Sequence, residues 1–186
     1  MSDRIKITFF FLLVMLGVAL RYWFQEVPNF APVAAIALFA GFLYRHWLVA
    51  IAAPLAVLTI TNSQLGGYES WAVMISVYAC LLLPVFVARK FLPSASNRAA
   101  PLPALIGCSL VGSLLFFLVT NYTSWLYWYP GTPDGFLQCY TAALPFFRYT
   151  LMGDLFFCSL FFGSHALVVR LAHSPVSTRD ELVLSR

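Results

Sequence analysis

The chain predicts an all-α integral membrane protein, a single bundle of six transmembrane helices, and three observations carry that expectation. Of its 186 residues, 61% are hydrophobic and 10% charged, and mean hydropathy is +0.84, outside the range of soluble globular domains. A hydrocarbon core of ~30 Å takes roughly 20 apolar residues per helix, so the apolar total allows about six crossings and leaves no room for a soluble domain. The basic residues divide unevenly between the loops: Arg4, Lys6, Arg45, Arg89, Lys90, Arg98, Arg170, Arg179 and Arg186 on one side, Arg21 and Arg148 on the other. By the positive-inside tendency this places both termini in the cytoplasm.

The first span is expected over Ile5–Phe24. It follows Arg4 and Lys6 as a signal peptide would, but it runs into Arg21-Tyr22-Trp23 with no small-residue cleavage site, so it reads as a retained helix. Spans two and three, Ala31–Tyr44 and Trp47–Ile60, are short for independent crossings and are expected to lie partly inside the bundle or to enclose a cavity. Trp71–Ala88, Leu102–Thr120 and Thr150–Leu171 complete the set. Trp23, Trp47, Trp71, Trp125 and Trp128 all fall at segment ends or in loops, where amphipathic rings sit at the membrane interface. One transmembrane domain is therefore expected over 1–172, with a polar cytoplasmic tail over 173–186.

Two connections differ in character. Pro93–Pro103 is rich in Ser, Ala and Pro and reads as a plain linker. Asn121–Tyr149 is long, aromatic and full of turn residues, and is expected to be an outer loop covering a cavity, with an interfacial aromatic belt as the alternative. The second span carries small residues four apart, Ala31 with Ala35 and Ala37 with Gly41, which lets another helix approach closely, within this chain or from a partner.

The charge of +4 is dispersed over segment ends and not clustered with exposed aromatics, which argues against nucleic acid as a partner and for the lipid bilayer. Cys80, Cys108, Cys139 and Cys158 show no CxxC spacing and no zinc-finger pattern, so no intrinsic metal or other cofactor is expected. Cys80 stands mid-way along the fourth span with Ser76 and Pro84 on the same face. Nine residues below Trp71, or ~13 Å at the helical rise, it lies near the bilayer midplane. Free cysteine also serves as a small buried hydrophobe, so position alone does not make it reactive. Asp154, Cys158 and His165 form a second stripe on the last span. A carboxylate inside a span needs a partner, and Arg148 or Arg21 are the obvious ones. Cys158 and His165 are too far apart along the helix, ~10 Å, to form a thiol–imidazole dyad.

Six short helices with both ends inside, the Pro28-Asn29-Phe30-Ala31-Pro32 entry to a small-residue helix, Cys80 in the fourth helix and the aromatic outer segment together resemble the BtuM family. These are small bacterial cobalamin transporters related to the S components of energy-coupling-factor (ECF) vitamin transporters. The resemblance covers the whole chain. It implies a bacterial inner-membrane protein that takes up cobalamin as its bound substrate, with Cys80 ligating the cobalt, displacing the nucleotide base and favouring loss of cyanide from cyanocobalamin. A soft, strongly donating thiolate suits that role, and electron donation along one axis weakens the opposite bond.

A corrin ring, apolar in its plane and fringed with amides, calls for aromatic faces and neutral hydrogen-bonding groups. On depth and chemistry the candidates are Asn29, Asn62, Gln64, Tyr68, Tyr122, Trp125, Tyr129 and Gln138. S components usually dock on their coupling subunit through an Ala-xxx-Ala surface on the first helix. The first span here, Phe9-Phe-Phe-Leu-Leu-Val-Met-Leu-Gly-Val-Ala-Leu20, has none, in keeping with a protein able to act without an ECF module. Two other readings stay open: an S-component-like binding subunit for another vitamin, and a membrane enzyme using Cys158 with Asp154.

Overall fold

The computed structural model describes residues 3–93, 95 and 99–173, and their regular structure is entirely helical. Six helices follow one another: α1 (Asp3–Trp23), α2 (Val33–Leu43), α3 (Trp47–Leu65), α4 (Trp71–Phe91), α5 (Leu102–Trp128) and α6 (Pro133–His173). All but α2 are long and apolar enough to cross a membrane. Their outward faces carry large apolar side chains such as Met15 (67% exposed) and Leu137 (63% exposed), as a surface solvated by lipid requires. The chain is a multi-pass membrane protein.

α2 is the axis of the bundle. It packs against all five other helices, and nine of its 11 residues are buried. A helix that is apolar all round is stable only when surrounded, which accounts for its shortness: it need not present a full lipid-facing length. The small residues recognised in the sequence do this packing within the chain, since Ala35 and Ala37 are buried against neighbouring helices. Phe39 and Phe42 of α2 interleave with Phe161, Phe162 and His165 of α6, the ring centroids lying 5.0–6.2 Å apart.

The segments 24–32, 66–70 and 129–132 join helices at one end of the bundle. At the other end lie the start of α1 and the end of α6: the Tyr44 hydroxyl donates to the Lys6 carbonyl at 3.4 Å, and Phe42 meets His165. There Arg89 donates to the carbonyls of Tyr44 and Arg45 at 3.1 and 2.8 Å, closing the end of α2, where helical carbonyls lack amide partners. Arg89→Met removes both bonds. It is expected to lower stability in detergent by roughly 1–2 kcal/mol, less than for a fully buried pair because one bond is solvent-exposed, as read by thermal unfolding.

The structure corrects two expectations. α3 runs on to Leu65 and is long enough to cross by itself. The aromatic segment 121–149 is not a loop: α5 continues to Trp128, α6 begins at Pro133, and only 129–132 turns between them. Thr132 explains the restart. Its Oγ1 accepts the Gly135 amide at 3.1 Å, with Pro133 opening the helix and Asp134 in its first turn, three signals that favour a helix N-terminus. At ~40 and ~60 Å, both helices exceed a bilayer core, and the aromatics read as a lid staple this hairpin instead. The tail from residue 174, with Arg179 and Arg186, and Arg98 of the linker lie outside the described residues.

Candidate functional site

A cavity of about 420 Å³ opens between the helices at the end that carries the 24–32 connection. Its wall is drawn from all six helices and two connections: Arg21 of α1, the 24–31 segment, Val33 and Ala34 of α2, Leu65 at the end of α3, Tyr68 between α3 and α4, Val77, Cys80 and Leu81 of α4, Gly112 and Phe116 of α5, and Thr150 and Asp154 of α6.

Local chemistry explains the placement of each group. Asn29 adopts a positive φ of 59°, a conformation that asparagine tolerates better than most residues, and so turns the chain sharply above the cavity. Gly153 lets that turn settle on α6, since a Cβ there would stand 3.3 Å from the Phe30 Cα. Phe30 then packs on Phe157 at 5.3 Å and Phe24 at 5.0 Å. Cys80 is buried in the α4 face turned to the cavity. Pro84, one turn on, has no amide hydrogen, which leaves the Cys80 carbonyl without its intrahelical donor.

The upper wall is polar. Arg21 donates to Thr61 Oγ1 at 2.8 Å, and Asn62 donates to the Tyr78 hydroxyl at 3.0 Å. Tyr68 lies edge-on to Tyr78 with centroids 6.3 Å apart. Burial pushes the Tyr68 hydroxyl above its ordinary pKa, against the opposing pull of the Arg21 charge, so it lines the cavity as a neutral phenol.

The floor holds Asp154, 6% exposed, whose Oδ2 lies 2.5 Å from Ser113 Oγ. The expected arginine partners are engaged elsewhere: Arg21 with Thr61, and Arg148 with the Tyr149 hydroxyl at 2.9 Å. A hydroxyl therefore replaces the ion pair anticipated from the sequence. Below Asp154 a second void of about 10 Å³ is lined by Ala34, Ala35, Leu38, Pro84, Cys108, Ser109, Gly112, Asp154 and Cys158.

Of the residues singled out in the sequence, Cys80, Asn29 and Tyr68 meet on the large cavity. Asn62 stands behind Tyr68 in the hydrogen-bonded wall. Gln64 and Gln138 are exposed and away from it. Tyr122, Trp125 and Tyr129 belong to the α5–α6 hairpin: Tyr122 packs on Trp125 at 5.5 Å, Trp125 Nε1 donates to the Pro130 carbonyl at 3.0 Å, and the Tyr129 amide closes α5 on the Trp125 carbonyl at 3.3 Å. Their physical role there is to hold the turn. Cys158 borders the small void and not the large cavity, and His165 sits beyond both among phenylalanine rings. Ser113, Thr150 and Phe116 were missed; Ser109 and Ser113, two hydroxyls one turn apart in an apolar span, were the available signal. Among the described residues no group of three or more His, Cys, Asp or Glu side chains is arranged to hold a metal ion.

The chain belongs to a family of unknown function (DUF6580), whose model matches residues 1–176. No curated protein and no solved structure matches it.

Proposed function

We propose that this DUF6580 protein takes up cobalamin across the bacterial inner membrane, with both termini cytoplasmic, and holds the corrinoid through a bond from Cys80 to cobalt. The observation that carries the reading is the position of Cys80: of the residues lining the large cavity it is the one thiol. A soft sulfur donor on the wall of a pocket that mixes apolar and polar faces suits a soft axial ligand for a metal that arrives with its substrate. The bond forms from a sulfur lone pair as the axial base leaves cobalt with its own pair, and coordination releases the thiol proton. Donation from sulfur weakens the opposite bond, so cyanide departs with its electron pair and takes up a proton as hydrogen cyanide. Cobalt keeps its oxidation state, and no external reductant is needed.

A whole cobalamin is larger than 420 Å³. The reading therefore requires the 24–31 segment to lift from α6, so that the corrin edge and one axial face occupy the cavity while the rest lies in the mouth. That volume also supports a second reading. Drug-sized ligands occupy pockets of ~300–1,000 Å³, so a single-ring vitamin delivered through an ECF module fits the cavity without any opening.

The test is to incubate the purified protein in detergent with cyanocobalamin, remove free ligand and record the visible spectrum, in which the corrin bands report axial ligation. Retained cobalamin with shifted bands supports cobalt ligation. A folded protein that retains none overturns the cobalamin reading, and saturable binding of a smaller vitamin together with a co-purifying coupling complex establishes the second.

A further inference from the structure

The carboxyl of Asp154 lies inside a membrane span, borders both cavities, and has one hydrogen-bond partner, Ser113 Oγ at 2.5 Å. Ser113 has a second acceptor within reach, the Ser109 carbonyl at 3.1 Å. A serine hydroxyl carries a single hydrogen, so these two contacts describe two arrangements. With Asp154 ionised, Ser113 gives its hydrogen to Oδ2. With Asp154 protonated, the carboxyl donates to Ser113 Oγ, and Ser113 turns its own hydrogen to the Ser109 carbonyl. The same heavy-atom geometry satisfies both, which a carboxyl held in a fixed ion pair cannot do.

A second, independent observation lies beneath. Ser109 Oγ is buried beside the Cys158 thiol, with no partner in hydrogen-bond geometry, and faces the void of about 10 Å³ that Asp154 also borders. That void stands at the lower limit of what admits one water, with the Cys108 and Cys158 thiols on the same wall. A buried polar atom left unsatisfied is costly, and a water donating to Ser109 and Asp154 removes that cost.

We infer that Asp154 exchanges a proton between the two cavities and thereby couples movement of the solute to movement of a proton. Loading forms an O–H bond at Oδ2 as one breaks on a hydronium ion of the large cavity, leaving water; unloading breaks that bond and passes the proton to the water in the small void, which Asp154 itself borders. Carboxyl groups in spans serve as such relays. The ionisable groups that face Asp154 are Cys158 on its own helix, Cys108 of α5, Cys80 of α4, Arg21 of α1 at the upper wall, and Glu26 and Tyr68 of the connections; none of them forms a hydrogen bond to its carboxyl in place of Ser113. The inference rests on the reading of the chain as a transporter.

The test is cyanocobalamin uptake into proteoliposomes under an imposed pH difference, acid on the side from which the cavity fills. With one proton carried per solute, wild-type accumulation rises by up to about tenfold per unit of pH difference, each decade being about 1.4 kcal/mol. Asp154→Asn loses that response, read per molecule of cyanocobalamin it binds, and Asp154→Glu restores it. An undiminished response in Asp154→Asn, or wild-type uptake indifferent to the gradient, overturns the inference and leaves the cobalamin reading standing. If the wild type binds no cyanocobalamin, that reading fails alone. The proton site is then read on ligand-free protein by infrared difference spectroscopy between acid and alkaline buffer. A carboxylic-acid band that vanishes in Asp154→Asn, or shifts in Ser113→Ala should the former not fold, supports the site; its absence overturns it.

Discussion

Cys80→Ala, purified and mixed with cyanocobalamin, is expected to lose the shifted corrin spectrum altogether and to retain the ligand at least ~100-fold more weakly, about 2.8 kcal/mol at 1.4 kcal/mol per decade. The fold should survive. The substitution removes one sulfur atom from a wall that borders an open cavity, so the packing loss is small, about 1 kcal/mol or less by comparison with single-methyl deletions in closed cores. Cys80→Ser separates shape from chemistry: the hydroxyl is nearly isosteric, but it is a hard and weakly donating ligand. Serine should therefore behave as alanine does, with the bands at their unligated positions and cyanide retained. Equal retention and an equally shifted spectrum in both variants would sink the assignment of Cys80 and leave cobalt ligation to another group. The Cys108, Cys139 and Cys158 thiols serve as controls, since none lines the large cavity and alanine at each should leave the spectrum unchanged.

The sequence carried most of the architecture because a bilayer leaves few choices: backbone polar groups in hydrocarbon must be satisfied internally, so apolar runs become helices. The starts of α3, α4 and α5 at Trp47, Trp71 and Leu102 were legible as the points where loop residues give way to such runs. What misled was composition at 121–149. Aromatic and turn residues read as loop, yet only Tyr129-Pro130-Gly131-Thr132 break the helical backbone, while the rings around them pack on one another, Phe136 on Tyr140 at 4.4 Å and Phe117 on Phe147 at 4.6 Å. Tertiary stapling of two adjacent helices overrode the local signal, and the capping role of Thr132 was hidden inside a stretch that looked uniformly turn-like.

The site was legible in part for a related reason. Depth along a helix follows from residue count, so Cys80 and Asp154 were correctly placed within spans. Which way a side chain turns depends on which neighbour it meets, and helical periodicity carries little information when a span is apolar all round. Asp154 was expected to meet an arginine on charge grounds. It meets Ser113, because α5 and α6 pack closely enough to bring a hydroxyl to the carboxyl, whereas Arg21 is held by Thr61 on the opposite wall. Gln64 and Gln138 had the right chemistry and depth but face outward.

Gly41→Leu is expected to disrupt the bundle, because Gly41 is where α2 and α4 touch backbone to backbone. A Cβ at Gly41 would run into the Val85 carbonyl oxygen and stand 3.0 Å from the Ala88 Cβ. Neither neighbour is the far end of a flexible side chain, so relief requires the helices to separate. Gly41→Ala already forces that shift, at ~1–3 kcal/mol for an overpacked contact, and should lower the thermal midpoint in detergent while leaving a folded protein. Leucine exceeds what the contact can absorb, and the variant should elute as aggregate or unfold well below the wild type. The consequence reaches the site, since α2 contributes Val33 and Ala34 to the cavity and α4 contributes Val77, Cys80 and Leu81. Prising the two apart moves the thiol wall relative to Asp154, so any surviving Gly41→Ala protein should hold its ligand less tightly in proportion to its lost stability. Gly107→Leu is the control: among the described residues nothing lies within 4 Å of a Cβ there, and the residue faces outward. Its midpoint should stay level or rise slightly, because glycine is a poor helix former by ~1 kcal/mol. A Gly41→Leu protein with the wild-type midpoint would mean that α2 is not clasped by α4, and the cavity wall described here would have to be redrawn.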